Sequence, residues 1–354
     1  MQEPQRILIC PLDWGLGHAT RCIPIIHELL RNNAEVIIAA DGRPFDLLRN
    51  EFPELLFIRL KGYDINYPST GNMVVKMLWS IPKIIKGIKK EHSALEKIIR
   101  DHRIDIVISD NRYGCWNKSV RNIFITHQLM IKSPFGENVL HRIILSHIKN
   151  FNECWIPDHE TDPTLSGDLC HYYPLPSNAF FIGPLTRFDT ASLQAKTEYD
   201  IMAVVSGPEP QRTLFEHLIA EQLSQSNLKA IIVRGIPEGN KKTEQKGNLT
   251  IINHLGSKEI RQAILSSRII ISRSGYSTIM DLGALNKKAI FIPTPGQTEQ
   301  EYLAGYFMKK QIAYFEKQSQ FDLVRALKES EKYSGFENPV EKGFLQRRIN
   351  TILS

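Results

Sequence analysis

Cysteine is scarce in this chain. Five occur in 354 residues, at positions 10, 22, 115, 154 and 170. The number is odd and no pair has C-x-x-C spacing. That argues against a disulfide framework or a zinc site and for reduced, packed thiols. Long apolar runs are missing too. No stretch approaches the ~18 uninterrupted apolar residues of a membrane-spanning helix. The opening residues, MQEPQRILICPLDWG, hold charge but no apolar core or small-residue cleavage site, so no secretory leader is expected. Charge of one sign is not in large excess. Lys plus Arg is 44 and Asp plus Glu is 38, a net +6. This balance is too mild for a histone-like grip, and no nucleic-acid partner is expected. With 42% apolar and 23% charged residues, the chain is also no disordered tail or fibre. A cytoplasmic globular enzyme is the expectation.

What is there is an alternation. At ~150 residues per domain the length corresponds to about two domains. Short β-branched runs alternate with longer amphipathic segments, which predicts strand-helix units around parallel sheets. Strands are expected at 6–10, 35–40, 55–60, 105–109, 122–126 and 179–183, with helices over 18–32, 43–51, 72–101 and 136–150. Residues 163–178 are rich in turn formers and read as a loop. Residues 186–200 lose all periodicity and read as a linker. A second alternation follows. Its strands are expected at 200–206, 228–234, 248–253, 268–272 and 288–293. Its helices are expected at 209–226, 257–266, 275–285, 299–310 and 320–332, with a last one near 337–353. The fold class is therefore α/β: two doubly wound, Rossmann-like domains facing a cleft. The expected division is 1–184, a linker at 185–199, a second domain at 200–335, and a terminal helix at 336–354 that crosses back onto the first domain. In such sheets ligands sit at the carboxyl ends of the strands, where the strand order reverses.

The first strand runs into Leu12-Asp-Trp-Gly15-Leu-Gly17-His18-Ala-Thr20-Arg. Gly15 and Gly17 permit a tight turn, and the helix behind them points free N–H groups at the cleft. A dinucleotide fingerprint would need a third glycine where Thr20 stands, and an acid beyond Asp41. His18 suits a general base, since an imidazole titrates near neutrality. A capping or packed histidine is the alternative. Asp110, at the end of the strand DIVIS, could orient His18, or simply cap the next turn. Asp13 is a second candidate acid.

The second cluster is Ser272-Arg273-Ser274-Gly275-Tyr276-Ser277-Thr278-Ile-Met-Asp281. Ser274, Gly275, Ser277 and Thr278 are small or hydroxylic and let a diphosphate reach the helix N-terminus. Arg273 adds positive charge. Asp281, two turns on, could meet ribose hydroxyls. An N-cap with a solvated acid is the bland reading of the same residues. Further on, Pro293-Thr-Pro-Gly-Gln297-Thr-Glu299-Gln300-Glu301-Tyr302 is a strand end and polar helix start. Its amides and carboxylates could read sugar hydroxyls, or form a solvated face.

Taken in order, these motifs resemble the MurG-like glycosyltransferases of family 28, which have the two-domain GT-B fold. Gly15, Gly17 and His18 match the N-terminal G-x-G-H motif. Gly183-Pro-Leu-Thr-Arg187 is similar to the family's G-N-P-V-R segment. Ser206-Gly207 stands for its Gly-Gly-Ser loop, and Arg273-Ser274-Gly275 is its R-S-G. The family's ribose-binding acid falls on Asp281, and its sugar-reading Gln-Gln-Tyr on Gln300-Glu301-Tyr302. His254 and Leu255 sit where the uracil is held by backbone contacts. The departures are specific. One glycine-poor loop replaces Gly-Gly-x-Gly-Gly-His, His127-Gln-Leu-Met keeps only the first residue of His-Glu-Gln-Asn, and Glu301 replaces a glutamine. The resemblance thus implies a divergent member with its own acceptor. It implies a UDP-sugar donor, UDP-GlcNAc first, a hydroxyl acceptor, lipid-linked acceptors included, an inverting reaction and a role in cell-envelope glycans. Other GT-B enzymes use a His–Asp dyad, and His18 with Asp110 is similar to it. There is no D-x-D pair of the kind metal-dependent glycosyltransferases use, so no metal and no cofactor is expected.

Residues 71–100 hold seven basic side chains against two acids, or +5 of the chain's +6, interleaved with Met77, Leu78, Trp79 and several isoleucines. A basic amphipathic helix over 72–100 could lie on an anionic bilayer at the inner face of the plasma membrane. A long packed helix with a solvated lysine face is the alternative. Two other functions stay open: a UDP-sugar 2-epimerase of the same fold, and a non-catalytic subunit that binds a nucleotide sugar.

Overall fold

A strand that is apolar on both faces needs cover on both sides, which a parallel sheet between helix layers provides. The first strand, β1 (Arg6–Pro11), is buried along all but its first residue. The computed structural model describes residues 3–62, 73–133, 136–237, 241–337 and 343–354. β1 lies third in a seven-stranded sheet with β2 (Glu35–Ala40), β3 (Leu56–Arg59), β4 (Ile106–Asp110), β5 (Arg121–Ile125), β6 (Glu153–Ile156) and β7 (Ala179–Phe181). The order is β3-β2-β1-β4-β5-β6-β7 and every pairing is parallel. The helices are α1 (Gly17–Arg31), α2 (Gly42–Glu51), α3 (Met73–His102), α4 (Glu137–Ile148) and the single turn α5 (Asp168–His171).

The second sheet has β8 (Tyr199–Val204), β9 (Ala230–Val233), β10 (Thr243–Lys246), β11 (Leu249–Ile252), β12 (Ser267–Ser272), β13 (Ala289–Phe291) and β14 (Tyr314–Phe315). Its order is β10-β11-β9-β8-β12-β13-β14, parallel except for the β10–β11 hairpin. With it run α6 (Gln211–Ser224), α7 (Ser257–Leu265), α8 (Tyr276–Ala284), α9 (Thr298–Lys309), α10 (Leu323–Ser330) and α11 (Phe344–Leu353). Strand order reverses between β1 and β4 in one sheet and between β8 and β12 in the other. The loops carrying His18, Asp110, Ser206 and Arg273 all leave those four strands. This is the doubly wound α/β architecture read from the alternation.

Three strands escape the periodicity. β6 is four buried residues, ECWI, too short to register as a run. β10 is TEQK, wholly exposed at an edge. β14 is two residues long. All five cysteines are buried and unbridged.

The helices and loops around the two sheets meet directly. Tyr276 Oη donates to the Pro157 carbonyl at 2.8 Å, and Ser257 Oγ to Glu51 Oε2 at 2.9 Å. The segment between β7 and β8 is held on α8, with Thr186 Oγ1 donating to Asp281 Oδ1 at 2.8 Å. α11 lies against the first sheet's layer: Arg348 Nε donates to Glu153 Oε2 at 2.7 Å and stacks over Phe180.

No described helix is long and apolar enough to cross a membrane. Within the basic window, residues 71 and 72 and the side chains of 73–82 and 84 lie outside the described residues. Over the rest of α3, Glu91, Leu95, Ile98 and Ile99 face inward, while Ile85, Lys86, Lys89 and Lys90 are exposed.

Candidate functional site

The loop after β1 reaches α1 through Gly15, whose φ of +84° lies in the left-handed region that favours glycine. No side chain caps the start of α1. His18 therefore stands in its first turn, beside free backbone N–H groups. Asp110 ends β4, and the register that pairs Pro11 with Asp110 brings it under His18. The His18 Nδ1 lies 3.2 Å from Asp110 Oδ2.

Arg21 is one helical turn beyond His18 and shares its face. It is 1% exposed. Its Nε donates to Asp110 Oδ2 at 2.7 Å, and its Nη2 donates to Asp110 Oδ1. Burial alone would raise the Asp110 pKa, but Arg21 and His18 hold it at about 2, so the carboxylate is ionised. Arg21 Nη1 also lies 2.8 Å from His127 Nδ1, just past the end of β5. Arginine can only donate, so His127 accepts at Nδ1 and carries its proton on Nε2. That Nε2 donates to Glu299 Oε1 of α9 at 2.9 Å. Burial lowers the His127 pKa against the pull of Glu299, as a neutral ring requires. The ring stacks on Tyr276, centroids 4.1 Å apart. A polar chain thus runs from β4 through α1 to the helices of the second sheet.

On that side α8 starts just past the β12 turn, again without a side-chain cap. Its first turn faces the first turn of α1. Ser277 Oγ donates to the Gly17 carbonyl at 2.7 Å, and a Cβ on Gly17 would lie 3.1 Å from that hydroxyl. Space beside Gly275 is open, with nothing within 4 Å of where a Cβ would be. Two positive helix ends, one from each sheet, converge next to His18 and the Asp110–Arg21 ion pair. Such a place favours an anion that must be bound and then released.

Residues 204–348 match the glycosyltransferase family 28 C-terminal domain. Residues 5–128 match glycosyl transferase family 1. A protein of Methanosarcina mazei described as an uncharacterized glycosyltransferase is 22% identical over 84% of this chain and 81% of its own. Among solved structures, the glycosyltransferase SnogD of Streptomyces nogalater superposes with a TM-score of 0.61 at 12% identity, covering 99% of this chain and 95% of that one. MurG of Acinetobacter baumannii gives 0.57 at 10% identity, with 99% of both chains covered. The chain is a glycosyltransferase whose second half carries a family 28 C-terminal domain. Its fold is GT-B.

Within this glycosyltransferase several residues sit otherwise than their motifs imply. Arg273 does not offer its charge to a ligand. It is 1% exposed, donates to the carbonyls of Ile292, Pro293 and Gln211 and to Gln318 Oε1, and lies over Phe215. Among the described residues no acid faces it, and burial lowers its pKa to about 9. Ser274 Oγ donates to the Gln300 carbonyl at 2.7 Å. The side chain of Gln300 accepts from Thr294 N at 2.8 Å, and that of Glu301 from Gly296 N at 3.0 Å. Both side chains shape the turn before α9. Asp281 is covered by Thr186 and by Arg187, whose Nε lies 3.6 Å away. Burial raises its pKa to about 6 against those two partners. It anchors the inter-sheet segment and does not face an open ribose site.

Arg187, His254 and Leu255 do come together. They line one cavity of about 280 Å³ with Asn253, Ser257 and, from α2, Glu51. Ser206 and Gly207 follow the end of β8 next to β12, with Gly207 at φ +109° and open space on its Cα. Ser277 and Thr278 occupy the first turn of α8. Asp13 is not part of the His18 cluster; burial raises its pKa, and its carboxylate fills the space that a Cβ on Gly62 would need.

Motif reading assigned four residues no place in this cluster: Arg21, His127, Tyr276 and Glu299. Two had a usable signal. Arg21 is three residues after His18, on the same helical face, and His127 follows the strand next to Asp110.

Proposed function

We propose that this glycosyltransferase moves a hexosyl or N-acetylhexosaminyl group from a UDP-sugar, UDP-GlcNAc as first candidate, to a hydroxyl acceptor with inversion. The observation that carries this reading is the meeting of the uncapped starts of α1 and α8 beside His18 and Asp110. The acceptor oxygen attacks C1 of the sugar as its proton passes to His18. The C1–O bond to the diphosphate breaks, and the electron pair leaves on the phosphate oxygen. Backbone N–H groups at Gly17–Ala19 and Tyr276–Thr278 hold that developing charge, which a pre-aligned helix end does without reorganising. With Arg273 directed elsewhere, these amides carry the task. The sequence has no D-x-D pair, so we take the reaction as metal-independent.

The cavity of Arg187, His254 and Leu255 suits the uridine end of the donor, with Ser206 and Gly207 near the sheet's switch point. His127 and Glu299 stand where the sugar enters between the sheets. In domain terms, 1–184 is the acceptor side, 185–199 the linker and 200–335 the donor side, with 336–354 tying back to the first. Exposed Lys86, Lys89, Lys90 and Ile85 on α3 support peripheral contact with anionic membrane at its cytoplasmic face, and with it a lipid-linked acceptor in cell-envelope glycan synthesis.

The test is a screen of UDP-sugars for hydrolysis and transfer, with EDTA present. UDP release with UDP-GlcNAc supports the reading. Conversion to a C2 epimer without UDP release assigns the chain to the epimerases instead. UDP binding with no turnover of any donor assigns it a binding role.

A further inference from the structure

His18 Nδ1 has two neighbours, Asp110 Oδ2 at 3.2 Å and Arg21 Nη2 at 2.9 Å. They pull in opposite directions. A carboxylate at that range favours imidazolium, and a guanidinium opposes it. Asp110 is not a lone carboxylate, because Arg21 already holds both of its oxygens in a fork. Such a bidentate grip fixes the plane of the carboxylate as well as its charge.

The other groups facing this pair are few and named. From α1 itself, Cys22 Sγ lies 3.9 Å from Asp110 Oδ2. From beyond β5 comes His127, neutral at Nδ1. From the second sheet come Glu299, on the far side of His127, and Tyr276, stacked on it. Arg21 is the one cation in this set, and each of its three nitrogens has a partner.

We propose that Arg21 is the positioning residue of this site: it neutralises and orients Asp110, and through His127 and Glu299 joins that carboxylate to the second sheet, so that His18 stands as a neutral proton acceptor. This role rests on His18 being the base of the reaction proposed above. The ordinary His–Asp pair is thereby converted into a His–(Asp–Arg) unit. The ion pair weakens the pull of Asp110 on an imidazolium. The link to Glu299 makes the arrangement depend on the two sheets being together.

Charge and geometry separate in two substitutions. Arg21→Met removes the charge and leaves Asp110 to act on His18 alone. Arg21→Lys keeps the charge and loses the fork. An NMR titration of the His18 ring in the full chain, with no donor added, should show the midpoint rising by about one pH unit or more in Arg21→Met and unmoved in Arg21→Lys. The acid limb of kcat/KM for UDP-GlcNAc hydrolysis should follow the same order, since it reports the free base. Arg21→Lys should lower plateau kcat about tenfold or more with KM little changed, as expected when orientation is lost. A His18 midpoint that is the same in all three proteins overturns the role.

Should Arg21→Met fail to fold, the parent protein still decides. Ring nitrogen shifts that put the His127 proton on Nε2 near neutral pH support the link. A proton on Nδ1, where His127 meets the Arg21 guanidinium and, unlike His18, has no carboxylate bonded beside it, overturns it. The ring titration needs no turnover. If it behaves as described while the parent chain leaves UDP-GlcNAc intact, Arg21 keeps its role and the donor assignment is what fails.

Discussion

Two arginines in this chain are buried to the same degree, 1% exposed each, and do opposite things. Arg21 stands behind the turn after β1 and Arg273 at the turn after β12. Both turns lead into an uncapped helix beside a glycine. Arg21 meets a carboxylate, which together with Cys22 and Glu299 raises its pKa although burial acts the other way. Arg273 meets only carbonyls and an amide, and burial lowers its pKa to about 9. Amide and carbonyl oxygens take up the two Nη groups of Arg273, while its Nε has no partner among the described residues and its charge is left uncompensated. One arginine therefore belongs to the chemistry of the cleft. The other braces the loops at the end of the second sheet. A cation next to a phosphate-type turn is a ligand only if its fork is left free to reach one.

The comparison can be broken in several ways. The largest effect should come from the cluster around Arg21. His18→Ala should lower turnover by roughly 10²–10⁴-fold while calorimetry still detects UDP. Unchanged turnover rejects His18 as the base. On the other side, Arg273→Met should cost about 2–4 kcal/mol of stability in urea unfolding, because several buried acceptors lose their donor. UDP affinity of the folded fraction should stay within a few-fold. A large affinity loss without a stability loss would make Arg273 a phosphate ligand after all.

The two buried acids sharpen the contrast through pH. Asp110 is held at about 2, below its unfolded value, so its contribution is present above about pH 4 and lost as pH falls toward 2. Asp281 is raised to about 6. Its contribution is full below the unfolded value near 3.8 and is lost as pH rises through 6. Each window should span on the order of 2 kcal/mol. Unfolding curves between pH 4 and 7 should therefore flatten in Asp281→Asn, and a slope that persists there assigns it to another group. The smallest effect belongs to α3. Lys86→Gln should weaken binding to anionic vesicles by about 1 kcal/mol, or roughly fivefold. Equal recovery on anionic and neutral vesicles by the parent chain rejects membrane contact.

Much of this is legible in the sequence. Runs such as RILIC and RIIIS are buried on both faces, and their spacing set the two sheets and the reversal points. From there His18 and Asp110 can be placed at one edge, because Asp110 ends one central strand and His18 opens the helix that follows the other. Side-chain direction was less legible. Gln300, Glu301 and Glu299 are neighbours at the start of α9, where a step of one residue turns a side chain through ~100°. Motif order selected Gln300 and Glu301, whereas Glu299 is the one that faces His127. Arg273 failed for a related reason. Its position beside the glycine turn is as read, but the oxygens that hold it come from the segment after β13, the start of α6 and the turn before α10, none of them near in sequence. The link from Arg21 through His127 to Glu299 joins residues up to 278 positions apart, and no local pattern records it.

The central claim is that the converging first turns of α1 and α8 receive the diphosphate of the donor. A crystal of the protein soaked with UDP tests this most directly. The account predicts phosphate oxygens within hydrogen-bond distance of backbone N–H groups near Ser277 and Gly17, with the uracil toward His254. Phosphates bound elsewhere, or seated on the guanidinium of Arg273, would contradict it.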